Sequence, residues 1–388
     1  MATATAQPQA APKQAKDGKQ APMALRPFFT GTLDLETHTY VKTGTLTTQQ
    51  IPLDTYYPKT NGYLSDMWLE MTAVAAGNSA NVAFNEDFPW RTVATFQLAD
   101  TGGQPILGPM TGWELMIFVK HGGFSFSDDP RDSQTYSQVT GTGATGGSFS
   151  WLLQVPIQFV AKEPLGSLPN TNSNNSYQVD VTLSTIAQTY SVAPTNAPTY
   201  TVKIYQDAYR QSSGKDGQKN QAVTTPPGLG AVLYLRRNTM DLSVGQVDEE
   251  LNVPEGSYRV LHLVLRDSNL SRQQGDSDWP DPATVYFNND VPWDRTKNLW
   301  LRKMERAYGY VNTVNTAGGR DYGNFVLPFI TDGGLKAGAE ARYRYLSVSA
   351  ADTLGFRGTI GGSGTHKLTT MVNFVRPPGG NIRGLTAR

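Results

Sequence analysis

Residues able to do chemistry are few in this chain, and they are scattered. Its four histidines, His38, His121, His262 and His366, fall on separate segments. None has the i, i+4 or His-x-His spacing that brings two imidazoles to one metal. His262 alternates with Leu261, Leu263 and Leu265, so it points away from them and reads as a packed side chain. Cysteine is absent, which removes thiolate nucleophiles, thiolate metal ligands and disulfide scaffolds together. Neither a Gly-x-Ser-x-Gly elbow nor a Walker sequence occurs.

Gly141-Thr-Gly143-Ala-Thr-Gly146 matches the dinucleotide string, but it follows a polar loop and precedes a strand-like run at Phe149. Cradling a pyrophosphate needs a strand before the glycines and a helix after them. Two acidic clusters remain, Asp128, Asp129 and Asp132, and Asp276, Asp278 and Asp281. Calcium takes about six to eight oxygens, and loops rich in Asp supply them. Neither cluster has EF-hand spacing, and prolines at 130, 280 and 282 suit solvated turns. No pair of carboxylates stands out for glycoside chemistry. The expectation is a chain with no cofactor, no resident metal and no catalytic group.

Lys plus Arg equals Asp plus Glu at 33 each, so net charge supplies no field for nucleic acid, and no sequence-specific nucleic-acid partner is expected. No apolar run reaches the roughly 18–20 residues of a membrane-spanning helix, and the N-terminus lacks the apolar core of a secretory leader. That reads as a soluble protein made in a cytoplasm. With 388 residues, 38 Gly, 24 Pro, 18 Tyr and 15 Phe, the balance of turn formers and strand-friendly bulk favours an all-β, loop-rich protein of two to three domains.

One stretch occurs twice. Residues 81–90 read Asn-Val-Ala-Phe-Asn-Glu-Asp-Phe-Pro-Trp, and residues 284–293 read Thr-Val-Tyr-Phe-Asn-Asn-Asp-Val-Pro-Trp. The recurring corner is Phe84, Asn85, Asp87, Pro89 and Trp90, then Phe287, Asn288, Asp290, Pro292 and Trp293. In both, an apolar run stops at Asn-x-Asp, whose side chains suit capping backbone N–H groups, and proline then presets φ for a helical turn. The expectation is a strand feeding a short helix, with each Trp a buried anchor. Copies this far apart suit tandem domains, not a solenoid.

In order along the chain, residues 1–26 are an Ala/Gln/Pro/Lys arm made basic by Lys13, Lys16, Lys19 and Arg26. Such a composition does not fold alone; it reads as a disordered tail, or as an arm that orders against a neighbour, an anionic membrane surface or nucleic acid. Strand patterns begin near Phe28, and in 62–74 Met67, Leu69, Met71 and Ala73 point one way. Gly112 to Lys120 reads as a buried strand or short helix, and strand is preferred because nine residues bounded by glycine suit it better. About eight strands fall within 27–210, and 211–230 is a Gly/Ser/Pro linker. Strands resume at Ala231, a helix is marked by Trp300, Met304 and Tyr308 at four-residue spacing, and the strand set ends near 376. A Pro/Gly/Arg tail, 377–388, follows. The fold expected is all-β, two tandem eight-stranded jelly rolls in one chain.

Asn85-Glu-Asp-Phe-Pro-Trp90, Asp100-Thr-Gly-Gly-Gln-Pro105 and the Gly112-Trp segment resemble the first half of the double jelly-roll major capsid proteins of tectiviruses, phages and related membrane-containing icosahedral viruses. The likeness in motifs covers residues 62–120. It implies a homotrimer whose six jelly rolls form a pseudo-hexagonal capsomer, synthesised in the host cytoplasm and placed in the shell of the virion. It further implies neighbouring capsomers and minor capsid or penton proteins as partners, with the N-terminal arm near an internal membrane and loops 121–147 and 161–176 as towers or seams. A vertex or spike protein binding a receptor or carbohydrate, and a bilobal jelly-roll glycan hydrolase or amidase, are the alternatives.

Overall fold

The computed structural model describes residues 34–77, 81–124, 134–158, 165–174, 176–210, 231–268, 270–273, 278–308, 322–330 and 344–376. The basic arm, the linker, the C-terminal tail and Asp128, Asp129, Asp132 and Asp276 lie outside them. All described residues belong to one compact unit. No helix among them is long and apolar enough to cross a membrane.

The first lobe runs β1 (Asp34–Thr45), β2 (Ile51–Pro52), β3 (Gly62–Val74), β4 (Ala83–Phe84), β5 (Val93–Ala99), β6 (Pro105–Met110), β7 (Ser137–Gln138), β8 (Phe149–Pro156), β9 (Leu168–Asn170), β10 (Gln178–Leu183), β11 (Tyr190–Val192) and β12 (Thr199–Arg210). One sheet has the order β1-β12-β3-β8, extended by β7; the other has β2-β10-β5-β6. With the short strands β4, β7, β9 and β11 set aside, those are the two four-stranded sheets of a jelly roll. The alternation in β3 sets its faces: Met67, Leu69, Met71 and Ala73 are buried, whereas Asp66, Trp68, Glu70 and Thr72 are half-buried on the other side.

The second lobe uses fewer, longer strands: β13 (Val232–Glu250), β14 (Gly256–Arg266), β15 (Ala283–Phe287), β16 (Asp290–Arg295), β17 (Asn324–Pro328), β18 (Leu346–Val348) and β19 (Leu354–Arg376). The start of β13 and the end of β19 join β14 and β17 in one sheet; the end of β13 and the start of β19 join β15 and β16 in the other. Leu354 to Ile360 and Lys367 to Val375, separated in the sequence by a glycine-rich stretch, are therefore parts of one strand. Glycine makes the switch between sheets. Pairing jumps from Ser243↔Thr365 to Gly245↔Ile360, with Gly245 at φ 112°, Gly362 at 74° and Gly364 at 82°. A side chain at such φ values is strained, and a bulge of this kind lets a strand leave one sheet for the other.

Strand β13 also pairs in parallel with β6 through Leu235↔Leu107, so an 11-stranded sheet runs through both lobes. Each lobe places one helix between its fifth and sixth jelly-roll strands: α1 (Gly112–His121) before β8 and, past the short α2 (Ile186–Thr189), α3 (Lys297–Tyr308) before β17. A three-residue strand then pairs with the first three residues of the third strand, β9 with β3 and β18 with β14.

Two expectations need correction. Gly112 to Lys120 is not a strand but most of α1, opened by a capping box: Thr111 Oγ1 accepts from Glu114 N at 3.2 Å and Glu114 Oε2 accepts from Thr111 N at 2.7 Å. All ten of its residues are buried, and a helix buried all round shows no amphipathic period to read.

The second copy of the repeated corner does not feed a helix. Phe287 and Asp290 face each other across a two-residue hairpin turn led by Asn288 at φ 53°, and Trp293 lies within β16 opposite Val285. Helix α3 starts only at Lys297. The two strings also occupy different places in the topology, one before the fourth jelly-roll strand and the other spanning the fourth and fifth.

Candidate functional site

The site with the most unusual chemistry is the seam between the lobes, and the first corner builds it. After β4, residues 85–89 turn into a 3-10 turn at Trp90–Thr92. Trp90 is buried and meets Trp151 edge-on at 5.4 Å between ring centroids; Phe84 stacks on Phe88 at 3.7 Å; Pro89 is buried. The polar residues of the corner do not cap N–H groups as expected. Asn85 Nδ2 donates to the carbonyls of Ala187 and Gln188, both at 2.9 Å.

Asp87 is buried and reaches into the second lobe, where its Oδ2 accepts from Arg266 at 2.9 Å and its Oδ1 from Arg272 Nε at 2.9 Å. Arg91 Nη1 stands 3.9 Å away. Burial alone would raise the Asp87 pKa, but Arg266, Arg272 and Arg91 outweigh it and hold the carboxyl below its usual range. Its neighbour Glu86, 3.3 Å from Arg272, is raised, because burial exceeds the pull of that arginine.

Trp113 of α1 lies against the same arginines, 5.0 Å from Arg266 and 4.8 Å from Arg272 measured to the ring centroid. This cation–π contact adds to the ion pairs. Glu114 does two jobs: it completes the α1 capping box and accepts from Arg237 of β13 at 2.9 and 3.0 Å. Arg236 is buried and donates to the carbonyls of Pro105, Ile106 and Gly108 on β6, covering groups that the short parallel pairing leaves open. A cleft of about 290 Å³ opens at this seam, lined by Asp87, Arg91, Trp113, Glu114, Arg237 and Arg266 among others.

Deeper along the seam the fold brings together two histidines that sequence spacing kept apart. His121 ends α1, and its ring lies 5.3 Å from His262 of β14 and 4.8 Å from Tyr308 of α3. Burial, and Lys120 beside it, take the His121 pKa down to about 3. The ring is therefore neutral, and because a carbonyl only accepts, its Nδ1–H donates to Ile117 O at 3.2 Å. His262 is fully buried, with Nδ1 3.2 Å from Asn324 Oδ1. His366 is buried, 3.9 Å from Asp278; the side chain of His38 lies outside the described residues.

The second corner holds no such site. Asn288 ties its hairpin to the turn before β19, accepting from Thr353 N at 2.8 Å and donating to Asp352 at 2.9 Å. Asp290 and Pro292 are exposed, Phe287 is half-buried, and Trp293 is half-buried against Phe329 at 5.6 Å. Asp281 accepts from Lys297 N at 3.0 Å. Among the described residues no three His, Cys, Asp or Glu converge as metal ligands.

Sequence reasoning missed Arg266, Arg272, Arg236 and Arg237, because a cation closing an apolar strand reads as solvated until its partner lobe is known. Only the Thr111-x-x-Glu114 box was legible as a signal. Chemically, the seam is a set of ion pairs laid over an aromatic ring, an arrangement that fixes two bodies together.

Two jelly rolls of one topology, joined through a shared sheet and an ionic seam, define a double jelly roll. No family model and no curated protein matches the sequence. Solved structures do match in fold. The STIV MCP superimposes with a TM-score of 0.57 at 12% identity, covering 88% of this chain and 98% of that one. The major capsid protein of bacteriophage PM2 gives 0.52 at 8%, covering 90% and 100%. The PBCV-1 virus capsid gives 0.56 at 12%, covering 92% and 97%. The fold is the one that the resemblance of the first-lobe motifs implied, shared with these structures at 8–12% identity.

Proposed function

We propose that this chain is the major capsid protein of an icosahedral virus, acting as a building block and not as a catalyst, and that three copies close into a pseudo-hexagonal capsomer. The observation that carries this reading is the duplicated jelly roll, joined by a shared sheet into one compact unit, matched over nearly the full length of solved capsid chains. A chain with two similar lobes supplies six around a three-fold axis. Head-to-tail contacts close into a ring when the rotation allows it, using a different patch on each edge and no net charge. Capsomers of that outline tile a shell and meet minor or penton proteins where the tiling bends. The arm with Lys13, Lys16, Lys19 and Arg26 fits an anionic membrane beneath the shell, and loops 121–147 and 161–176 fit its outer surface or its seams.

Size-exclusion chromatography with light scattering tests the first step. The expected mass is three times the 42.3 kDa chain, with hexagonal outlines in electron micrographs; a protein monomeric at every concentration would overturn the reading. Deleting residues 1–26 is expected to leave trimers and impair closed particles, and normal particle yield would remove the role given to the arm.

A further inference from the structure

Each lobe packs the helix between its fifth and sixth strands against its own sixth strand, α1 on β8 and α3 on β17. The far side of α1 then covers the outer face of the sheet formed by β13, β19 and β14. Phe118 meets His262 at 5.3 Å, Trp113 meets Arg266, Arg259 Nη2 donates to Gly122 O at 3.1 Å, and Glu114 pairs with Arg237. Within one chain, therefore, the helix of the first lobe sits on the outer sheet of the second. The reciprocal pieces, the helix of the second lobe and the outer sheet of the first, have no such cover among the described residues.

Those two surfaces match each other. On α3, Leu299 is 44% exposed, and Arg302, Lys303 and Arg306 are exposed beside it. Their spacing of i, i+3, i+4 and i+7 puts all four on one stripe. On the first lobe, pairing of β1, β12 and β3 places Glu36, Asp66, Trp68, Glu70, Tyr205 and Asp207 on one outward face, with Lys203 as its one paired cation. Trp68 is half-buried there, its Nε1 donating to Asp207 at 2.8 Å. One surface is basic around a leucine; the other is acidic around a tryptophan.

We propose that α3 of one copy docks on the outer face of β1, β12 and β3 of the next copy, repeating between chains the contact that α1 makes within the chain. This rests on the capsomer reading and names the surface that closes it. The same relation, made alternately within and between chains, returns to its start when six lobes have been placed. Complementary charge steers the encounter and fixes the register, and a buried aromatic anchor supplies the centre of the contact.

The chain has no cysteine, so Leu299→Cys gives a clean probe on the full-length protein. Its thiol should react freely with a maleimide in dilute monomer and be shielded in the trimer. Lys303→Glu with Arg306→Glu should raise the concentration for half-dissociation at least about tenfold, with the melting temperature of the monomer unchanged, and adding Glu36→Lys should recover part of that loss. A trimer in which Leu299→Cys stays reactive, or a charge-reversed chain that trimerises like the parent, would overturn this interface while leaving the capsomer standing. A thiol shielded already in the monomer would mean that the chain covers its own helix, and would overturn the interface too. If the parent never trimerises, both proposals fall.

Discussion

Two decapeptides that share six residues end in different structures, and two lobes that share almost no sequence end in the same one. Asn81–Trp90 turns into a buried corner because Asp87 meets Arg266 and Arg272 of the other lobe. Thr284–Trp293 becomes a hairpin because Asn288 takes a left-handed φ and Asp290, exposed on the turn, has no ion pair among the described residues. The duplication itself is real, but it is written elsewhere: in α1 and α3, in β9 and β18, and in the matching sheet orders. A short string is a weak determinant of backbone when its polar residues find different partners. The order of apolar faces is a strong one.

The sharpest way to break that contrast is to cut both tryptophans. Trp90→Ala empties a fully enclosed site against Trp151 and should destabilise by about 3–5 kcal/mol. Trp293→Ala, half-exposed in a hairpin, should cost about 1–2 kcal/mol. Urea unfolding of the two variants side by side decides it, and equal losses would restore the equivalence that the structure denies.

The two aspartates sharpen it next. Asp87→Ala leaves the buried Arg272 and the half-buried Arg266 without their shared counter-charge, with Glu86 taking up part of that of Arg272. A loss of about 3 kcal/mol is expected. Asp290→Ala, exposed on the hairpin, should stay within about 0.5 kcal/mol. If Asp87→Ala unfolded at the parent's midpoint, the seam would not be what joins the lobes.

What was legible in the sequence follows the same division. The strand-rich class and the two-lobe layout were readable, since Met67, Leu69, Met71 and Ala73 alternate inward as expected and Trp300, Met304 and Tyr308 form the buried stripe of α3. Helix α1 was not, because a period needs a polar face and α1 has none. The fusion of strands in the second lobe was hidden, because Gly361-Gly-Ser-Gly364 reads as a turn and instead bends one strand between two sheets. The seam was hidden for a different reason: its ion pairs join residues about 180 positions apart, such as Asp87 and Arg272, and no local pattern carries that information.

Acidity separates two further sites, one in each region. His121, at the seam, has its pKa lowered from 6.5 to about 3 by burial and by Lys120. A group depressed on folding lends stability that is full above its unfolded value and is lost as pH falls, here from about 6.5 downward. That amounts to about 2 kcal/mol at pH 5. Asp66, on the outer face of the first lobe, is raised from 3.8 to about 7 by burial and then by Asp207. Its contribution has the opposite sign, being present below its unfolded value and lost as pH rises through about 7. The two slopes oppose each other across pH 4–6.5. Asp66→Asn should therefore unmask a fall in stability on acidification, and His121→Phe a rise. Parallel pH profiles for the two variants would show that neither group titrates as its surroundings dictate.

The smallest effect compares the starts of the two equivalent helices. Thr111 caps α1 reciprocally with Glu114, and that glutamate also holds Arg237, so the cap ties the helix to the second lobe. At α3 the corresponding Thr296 accepts from Leu299 N at a long 3.4 Å, while Asp281 takes the Lys297 N–H at 3.0 Å, so the end of that helix is held from outside. Thr111→Ala should cost about 1 kcal/mol and Thr296→Ala a few tenths at most. Both are readable as shifts in the urea midpoint at constant slope. The difference arises because α1 is wedged between lobes and draws on its own cap for alignment, whereas the outer stripe of α3 is exposed. A larger loss at Thr296 would mean that α3, not α1, is the helix whose first turn the fold depends on.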